Sequence, residues 1–257
     1  MIRELLYGVY ERQLERRIRS GPLPRHVGVI LDGNRRYARR MGYAQLTDGH
    51  VRGADKVEEL VGWCDDLGVP IVTLWALSTD NLNRQPEELA AIFGLIEQKV
   101  ESFSRNPDRT RQRRVRVVGR RELLPDSTRA AIERVEEATA DKGPSELLVA
   151  IGYGGREEIT DAVRRMIADR IRGGDSLEGI VSNLEPDEIS RYLYAPDIPD
   201  PDLIIRTSGE LRLSGFLLWQ SAYSEYYFCD VFWPEFRRID FLRALRSYAS
   251  RERRRGR

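Results

Sequence analysis

Near its N-terminus the chain reads His26-Val27-Gly28-Val29-Ile30-Leu31-Asp32-Gly33-Asn34-Arg35-Arg36-Tyr37-Ala38. An apolar strand runs here into one acid and then into a glycine turn that is rich in arginine. Gly33 lets the backbone come close to an anion, and the amides that open the following helix point towards it. Asp32 would repel a bound diphosphate unless a divalent cation bridged the two. The stretch, with Arg35 and Arg36, therefore predicts a diphosphate site that uses magnesium.

The same residues have a second interpretation, in which Asp32 and Asn34 cap a surface helix and the arginines are solvated. A helix cap does not require a glycine and two arginines beside it. We therefore favour the diphosphate site over the capped helix.

Short runs of branched apolar residues recur along the chain and predict strands at 27–31, 71–77, 115–118, 147–151, 203–205 and 226–228. Apolar residues at helical spacing predict helices between them, at 49–67, 86–103, 126–140, 155–171 and 186–193. We therefore predict an α/β fold with an open, mostly parallel six-stranded sheet that helices cover on both faces. Ligands of such sheets bind at the carboxyl ends of the strands. The polar and glycine positions that fall there are Asp32, Ser78, Gly152 and Arg206.

Composition bounds the class of protein. The 257 residues carry 42 basic and 41 acidic side chains, a formal charge of +1, which offers no global field for a nucleic-acid backbone. Cys64 and Cys229 lie far apart in apolar segments and fit reduced thiols of a cytoplasmic protein. No apolar run approaches the roughly 20 residues that cross a bilayer. We predict one domain over 1–257.

Both ends of the chain have two interpretations. Residues 1–20 predict an amphipathic helix, which packs on the body or a second subunit, or lies on the inner face of the membrane. Its apolar face consists of Leu5, Leu6, Val9, Tyr10, Leu14 and Ile18. The basic tail 251–257 is a solvated end or a contact for anionic lipid or nucleic acid.

Two further polar stretches follow predicted strands. Residues 77–84 concentrate hydroxyls, amides and Arg84, and are either a ligand site or a loop that caps the next helix. In 199–214, Arg206 stands at a strand end and is followed by Arg212 and Ser214. The planar guanidinium groups of the two arginines and the hydroxyl of Ser214 suit phosphate oxygens.

Two single residues leave their roles open. Glu225 lies among aromatic residues, where an acid needs a partner, which is a metal site, a hydroxyl or an arginine. His50 follows Asp48-Gly49 and is a helix-start residue in one interpretation and a hydrogen-bond partner of diphosphate in the other.

In this order, these stretches resemble the cis-prenyltransferase family, the isoprenyl or undecaprenyl diphosphate synthases, over about 24–246. The motifs that carry the resemblance are 26–38, Gly49-His50, 78–84, 152–156, 200–209 and 213–220. The segments 6–15 and 240–246 further resemble the actinobacterial branch, which includes short-chain Z-farnesyl diphosphate synthases.

The resemblance implies condensation of isopentenyl diphosphate with an allylic diphosphate, such as geranyl or farnesyl diphosphate, in a Mg²⁺-dependent homodimer with an apolar tunnel. It implies that Asp32 is catalytic and binds the metal, and that Glu225 completes the metal site from a partner subunit's neighbourhood. Asn81 stands at the position of the proton acceptor, but a neutral amide is a poor base, so we expect it to position substrate. The implied substrate-binding residues are Gly33, Asn34, Arg35, Arg36, Tyr37, His50, Ser78, Thr79, Asp80, Leu82, Arg84, Arg206, Arg212, Leu213 and Ser214.

The chain departs from the family pattern at a few positions. An arginine usual before Gly49 is missing, which leaves Arg39 or Arg40 to bind diphosphate. Leu82 and Asp80 replace a frequent Trp and Glu. Ala76 stands where short-product members carry a larger side chain, so the product length stays open from farnesyl to polyprenyl. The alternatives are a catalytically silent subunit of this fold and, more remotely, an arginine-rich nucleic-acid binder.

Overall fold

The computed structural model describes residues 2–105 and 113–251. Each of the six predicted strands is present, with ends displaced by at most two residues from the sequence-based bounds. The strands are β1 (His26–Ile30), β2 (Ile71–Ser78), β3 (Arg114–Val118), β4 (Glu146–Tyr153), β5 (Leu203–Arg206) and β6 (Glu225–Phe228).

Nine helices flank these strands within the described residues. They are α1 (Ile2–Arg19), α2 (Asn34–Arg40), α3 (Thr47–Leu67), α4 (Pro86–Arg105), α5 (Asp126–Ala138), α6 (Gly155–Arg172), α7 (Leu177–Ser182), α8 (Pro186–Ser190) and α9 (Arg238–Ser250). The predicted helices are confirmed, although α8 is shorter than the predicted 186–193. Helices α7 and α9 were not predicted from the sequence, and α7 is too short to show a helical period.

The strands form one sheet in the order β3-β4-β2-β1-β5-β6. All five neighbouring pairs are parallel, which confirms the predicted sheet. Ile30 at the end of β1 pairs with Trp75 on one side and Arg206 on the other. Because β1 lies between β2 and β5, the segments that follow these three strands emerge side by side at one edge of the sheet.

Apolar side chains cover both faces of the sheet. One face packs Val29, Leu74 and Ile205 against helices that include α3 and α9, while the other packs Trp75 and Phe216 with parallel rings 5.4 Å apart. Burial on both faces explains why the central strands are apolar throughout rather than alternating.

The N-terminal helix α1 packs against α9, and its Leu14 and Ile18 are buried in the core. This contact agrees with the interpretation that the helix packs on the body. The side chains of Leu5, Leu6 and Val9, and the tail residues 252–257, lie outside the described residues. Over the described part of the chain, no helix is long and apolar enough to span a bilayer. Cys64 and Cys229 are buried free thiols.

Candidate active site

A cleft of about 410 Å³ opens at the carboxyl edge of the sheet, where β1, β2 and β5 end. Its lining includes Asp32, Ser78 and Arg206, as predicted from their places after strands. Gly152, predicted at the same edge, lies within β4, where its carbonyl accepts a hydrogen bond from the amide of Arg120. It does not line the cleft. The other predicted site residues in the lining are Gly33, Asn34, Arg35, Arg36, His50, Asp80, Asn81, Arg84 and Ser214.

Asp32 lies at the centre of the cleft between two arginines. Its Oδ2 accepts a hydrogen bond from Arg206 Nη2 at 2.8 Å, and its Oδ1 accepts one from Arg36 Nη2 at 3.1 Å. Its backbone amide donates to Thr207 Oγ1 at 3.0 Å. Burial raises the pKa of Asp32, but hydrogen bonds from Arg206 and Ser208 outweigh burial, so the pKa lies below its ordinary value. Asp32 is therefore a carboxylate at neutral pH.

Two glycines allow the close packing that forms the cleft. Gly33 has a φ of 106°, and a side chain there would also meet the ring of Phe232. A Cβ at Gly49 would lie 2.1 Å from the carbonyl oxygen of Asn34. The missing side chain lets α3 pass directly against α2, which brings His50 into the cleft.

Four buried polar atoms in the cleft have no hydrogen-bond partner. They are Asn34 Oδ1, Arg35 Nε, His50 Nε2 and Arg206 Nε. Only three other buried side-chain atoms in the described residues share this property. Buried polar groups of folded proteins are nearly always paired, so a cluster of unpaired atoms at one cleft indicates a ligand that satisfies them.

Glu88, which was not predicted from the sequence, lies between Arg84, Arg35 and His50 on one side of the cleft. Its Oε1 lies 3.2 Å from Arg84 Nη1, 3.4 Å from Arg35 Nε and 4.0 Å from His50 Nε2. Burial, together with the charges of Arg84 and Arg35, lowers the pKa of His50 to about 4. His50 is therefore neutral at physiological pH. In the sequence, Glu88 is an ordinary acid in the first turn of a helix, so no local signal distinguishes it.

Glu210 plays a similar part on the other side and was also missed. It pairs with Arg36 Nη1 at 3.1 Å and with Arg212 Nη1 at 2.5 Å. Arg206 Nη1 donates to Ser214 Oγ at 2.8 Å and to the carbonyl of Arg212. These contacts join the 26–38 stretch to the 199–214 stretch.

Asn81 is oriented by its neighbours in the 77–84 stretch. Its Oδ1 accepts a hydrogen bond from Arg84 Nη2 at 2.8 Å, and its backbone N–H donates to Ser78 Oγ at 3.1 Å. A carboxamide whose oxygen is already engaged is a poor proton acceptor, which agrees with the expected positioning role.

Five of the expected substrate-binding residues do not line the cleft. Tyr37 packs edge-on against Tyr43, the amide of Thr79 donates to Tyr153, and Leu82 packs beside the apolar cluster of Leu77. The guanidinium of Arg212 pairs with Glu210, and Leu213 packs on the face of the sheet that carries Trp75. Their roles in binding stay predictions.

The two arginines expected to replace the missing family arginine differ in placement. Arg39 lines the cleft. Arg40 instead forms an ion pair with Glu235, and its guanidinium lies 4.8 Å from the ring centre of Phe232. Of the two, Arg39 is therefore the one within reach of a ligand.

Glu225 lies at the first position of β6, at the amino ends of the strands, whereas Asp32 lies at their carboxyl ends. Its carboxylate pairs with Arg251 at 2.5 Å, which is the arginine partner that the sequence left open. Within residues 2–105 and 113–251, no three His, Cys, Asp or Glu side chains cluster as metal ligands. A metal-binding role for Glu225 requires a second subunit and stays a prediction.

A second cavity of about 100 Å³ continues from the cleft between the sheet and helices α3 and α4. Both cavities are lined by Leu31, Asn34, His50, Ala76 and Ile92. The register of β2 shifts between Trp75 and Leu77, so Ala76 is an extra residue whose side chain faces the cavities. The lining of the second cavity is mostly apolar, as expected for the predicted tunnel.

The described fold and cleft define a class of protein with a parallel sheet, an arginine-rich anion site and an adjoining apolar tunnel. A family model described as putative undecaprenyl diphosphate synthase matches residues 30–256. The chain belongs to this prenyltransferase family, which confirms the resemblance and, with it, the predicted transferase class.

Relatives of similar identity differ in the product that they are named for. The (2Z,6E)-farnesyl diphosphate synthase of Thermobifida fusca is 54% identical, with 100% of this chain and 99% of the relative covered. The tritrans,polycis-undecaprenyl-diphosphate synthase of Methanopyrus kandleri is 51% identical, with 98% and 92% covered. Lavandulyl diphosphate synthase from Lavandula x intermedia, solved with dimethylallyl diphosphate, superposes with a TM-score of 0.84 at 31% identity, covering 90% of this chain and 97% of that one. None of these names supports a silent subunit or a nucleic-acid binder.

Proposed function

We propose that the protein condenses isopentenyl diphosphate with an allylic diphosphate to form a Z-prenyl diphosphate. The observation that carries this proposal is the cluster of buried atoms without a hydrogen-bond partner on Arg35, His50 and Arg206, at a cleft that leads into an apolar tunnel. Diphosphate oxygens satisfy such donors, and a hydrocarbon tail fits the tunnel. A ligand with both properties is a prenyl diphosphate.

The side chains that can bind phosphate oxygens form two groups, one on each side of Asp32. Arg35, Arg84 and neutral His50 surround one position, and His50 also lines the tunnel, together with Asn34. Arg206 and Ser214 surround the other. We assign the allylic diphosphate to the tunnel side, because its tail grows, and isopentenyl diphosphate to the Arg206 side. This arrangement holds two reactants in contact while their charges are neutralised separately.

The residues present fit a magnesium ion. Mg²⁺ is commonly held by one or two carboxylates together with substrate phosphate oxygens, and Asp32 supplies one deprotonated carboxylate at the cleft. When bound, magnesium neutralises the diphosphate and stabilises the negative charge that develops on it as it leaves. Arg36 and Arg206 contact Asp32 in the structure and orient its carboxylate towards the ligand position.

Other residues of the chain act by orientation and exclusion of water. Neutral His50 donates or accepts one hydrogen bond without adding charge, and Asn81 is held by Arg84 at the position where substrate is oriented. The released diphosphate is the alternative base to Asn81 for the proton that is lost. The apolar residues of the tunnel keep water from the growing chain.

We further propose that the protein acts as a homodimer through the edge of the sheet that β6 forms. Among the described residues, β6 pairs only with β5, and Tyr223, two residues before β6, is 86% exposed. Large exposed apolar side chains beside an open strand edge favour a second subunit. Light scattering of the purified protein should give a dimer, and Tyr223→Glu should shift it towards monomer; a monomeric wild-type protein contradicts the proposal.

The activity is tested by incubating the purified protein and Mg²⁺ with labelled isopentenyl diphosphate and each of geranyl, E-farnesyl and Z-farnesyl diphosphate. We expect labelled prenyl diphosphates that are longer than the starter, with Z geometry at each new double bond. Failure to extend any of the three starters contradicts the proposal. The length of the products decides between the activities that the relatives are named for.

A cytoplasmic location with peripheral contact at the inner face of the membrane stays part of this proposal. Sedimentation of the protein with anionic vesicles tests the membrane contact, with neutral vesicles as the control. Binding to neither kind of vesicle contradicts it.

A further inference from the structure

The apolar tunnel has one charged side chain in its wall. Among the described residues that line it, Lys99 alone is charged at neutral pH, because His50 is neutral. Lys99 belongs to α4, and the opposite wall is formed by Gly53, Ala54 and Val57 of α3. A lysine at a predominantly apolar wall is unfavourable unless its ammonium reaches water or a partner.

The ammonium of Lys99 is paired across the gap between the two helices. Its Nζ lies 2.9 Å from Glu58 Oε1 and 3.4 Å from Asp55 Oδ1. Both acids are on α3, three residues apart, and therefore lie on one side of that helix. The Lys99 side chain is only 19% exposed, so its stem packs in the tunnel wall while the ammonium sits at the outer surface. The three residues form an ionic clasp that joins α3 to α4 over the tunnel.

The clasp lies at a deep level along the tunnel, on the outer side of its wall. Lys99 is two helical turns beyond Ile92, which lines both the cleft and the tunnel, so it is about 10 Å deeper. The whole tunnel cavity has a volume of only about 100 Å³. A growing hydrocarbon that fills this space continues only if the walls move apart. Because α3 and α4 are two of these walls, separating them requires the clasp to open.

We propose that Lys99, with Glu58 and Asp55, is a product-length determinant that acts by resisting the separation of α3 and α4 around the growing chain. The proposal rests on the proposed chain elongation. It differs from a steric block at Ala76, because the clasp lies outside the path of the chain and acts through charge. A partly exposed ion pair contributes modestly, so we expect its loss to change the ratio of longer to shorter products about two- to fivefold.

The test measures product length by chromatography, with labelled isopentenyl diphosphate and the starter that the wild type extends best. Lys99→Met keeps the length of the stem and removes the charge. Asp55→Asn/Glu58→Gln keeps Lys99 and removes its partners. If the clasp acts as proposed, both variants shift products to longer chains. The matched control is Arg105→Met, which removes an exposed ion pair to Glu101 within α4 alone and should leave the distribution unchanged.

Salt supplies an independent readout. High ionic strength screens ion pairs, so the wild-type distribution should move towards longer products as salt rises, while that of Lys99→Met should not move. Thermal melting verifies that each variant is folded. An unchanged distribution in folded Lys99→Met, or a shift to shorter products in either variant, overturns the proposal. If neither the wild type nor any variant incorporates the label, the proposed function is contradicted instead. Failure of the clasp proposal and failure of the proposed function therefore give different results.

Discussion

Arg206 Nη2 donates to Oδ2 of Asp32 at 2.8 Å, which joins the ends of β5 and β1 by an ion pair at the centre of the cleft. The Arg206 side chain is almost completely buried, whereas the Asp32 side chain is partly open to the cleft. The buried guanidinium requires a negative partner, and the carboxylate is thereby held at one position and kept ionised. The same carboxylate repels a diphosphate that arrives without a cation.

Replacement of Asp32 by Asn should lower turnover at least about 100-fold, because a ligand for magnesium and a fixed charge are lost. Calorimetry with a non-reactive allylic thiodiphosphate separates the two effects. In wild type, Mg²⁺ should strengthen binding; in Asp32→Asn it should not, while binding without metal should be equal or tighter. Glu235→Gln, which removes an acid outside the cleft, is the control. A metal-dependent gain that survives in Asp32→Asn rules out this site for the ion.

Ala76→Leu should shorten the product. The side chain of Ala76 faces the junction of cleft and tunnel, so a larger group there blocks the path of the growing hydrocarbon. Chromatography of the labelled products measures the change, and Ala76→Ser serves as the control of similar size. An unchanged distribution in a folded, active Ala76→Leu enzyme contradicts the placement of the tunnel.

The two histidines should make the protein sensitive to mild acid. Burial lowers the pKa of His26 to about 4, and His50 has a similar value, whereas both titrate near 6.5 when unfolded. Between these values the unfolded chain binds more protons than the folded one, so the free energy of unfolding falls as pH decreases from about 6.5 towards 4. At pH 5 we expect a loss of about 2 kcal/mol for each histidine.

Urea unfolding at pH 7 and pH 5 measures this loss. His26 Nδ1 donates to the carbonyl of Pro199 at 2.7 Å, and its Nε2 therefore accepts from Thr73 Oγ1 at 2.7 Å. His26→Gln removes the titrating group and should halve the pH dependence, even though it lowers stability at both pH values. An unchanged dependence would show that His26 does not titrate as stated.

Arg113→Met should lower the free energy of unfolding by about 3 kcal/mol, because it removes the hydrogen-bond partner of several buried groups. The Arg113 side chain is fully buried and donates to the carbonyls of Val69, Pro70 and Glu146 and to the carboxylate of Asp65. It joins the starts of several strands far from the cleft. Denaturant unfolding measures the effect, with Arg114→Met as the neighbouring control; equal losses in the two variants contradict it.

Much of the fold follows from local patterns. All six strands were predicted from short apolar runs, and the central ones are apolar throughout because both faces of the parallel sheet are buried. Ligand-binding residues of such a sheet follow its strands, and this rule alone brought Asp32, Ser78 and Arg206 together. Glu88 and Glu210 were not predictable, since each looks like an ordinary solvated acid and gains its role only from cations brought by distant segments. Arg113 was hidden for the same reason, in a run of arginines at 111–116.

By itself, the sequence determined the parallel sheet, the strand-end site and the family motifs, because each depends on residues that are close together in the chain. Only the tertiary structure decided which arginines face the cleft, that Glu225 lies away from Asp32 in its own chain, and that Lys99 pairs across the tunnel wall. These features depend on side chains from separate elements meeting in space. Burial and pairing then set their charges, and no local pattern encodes such a meeting.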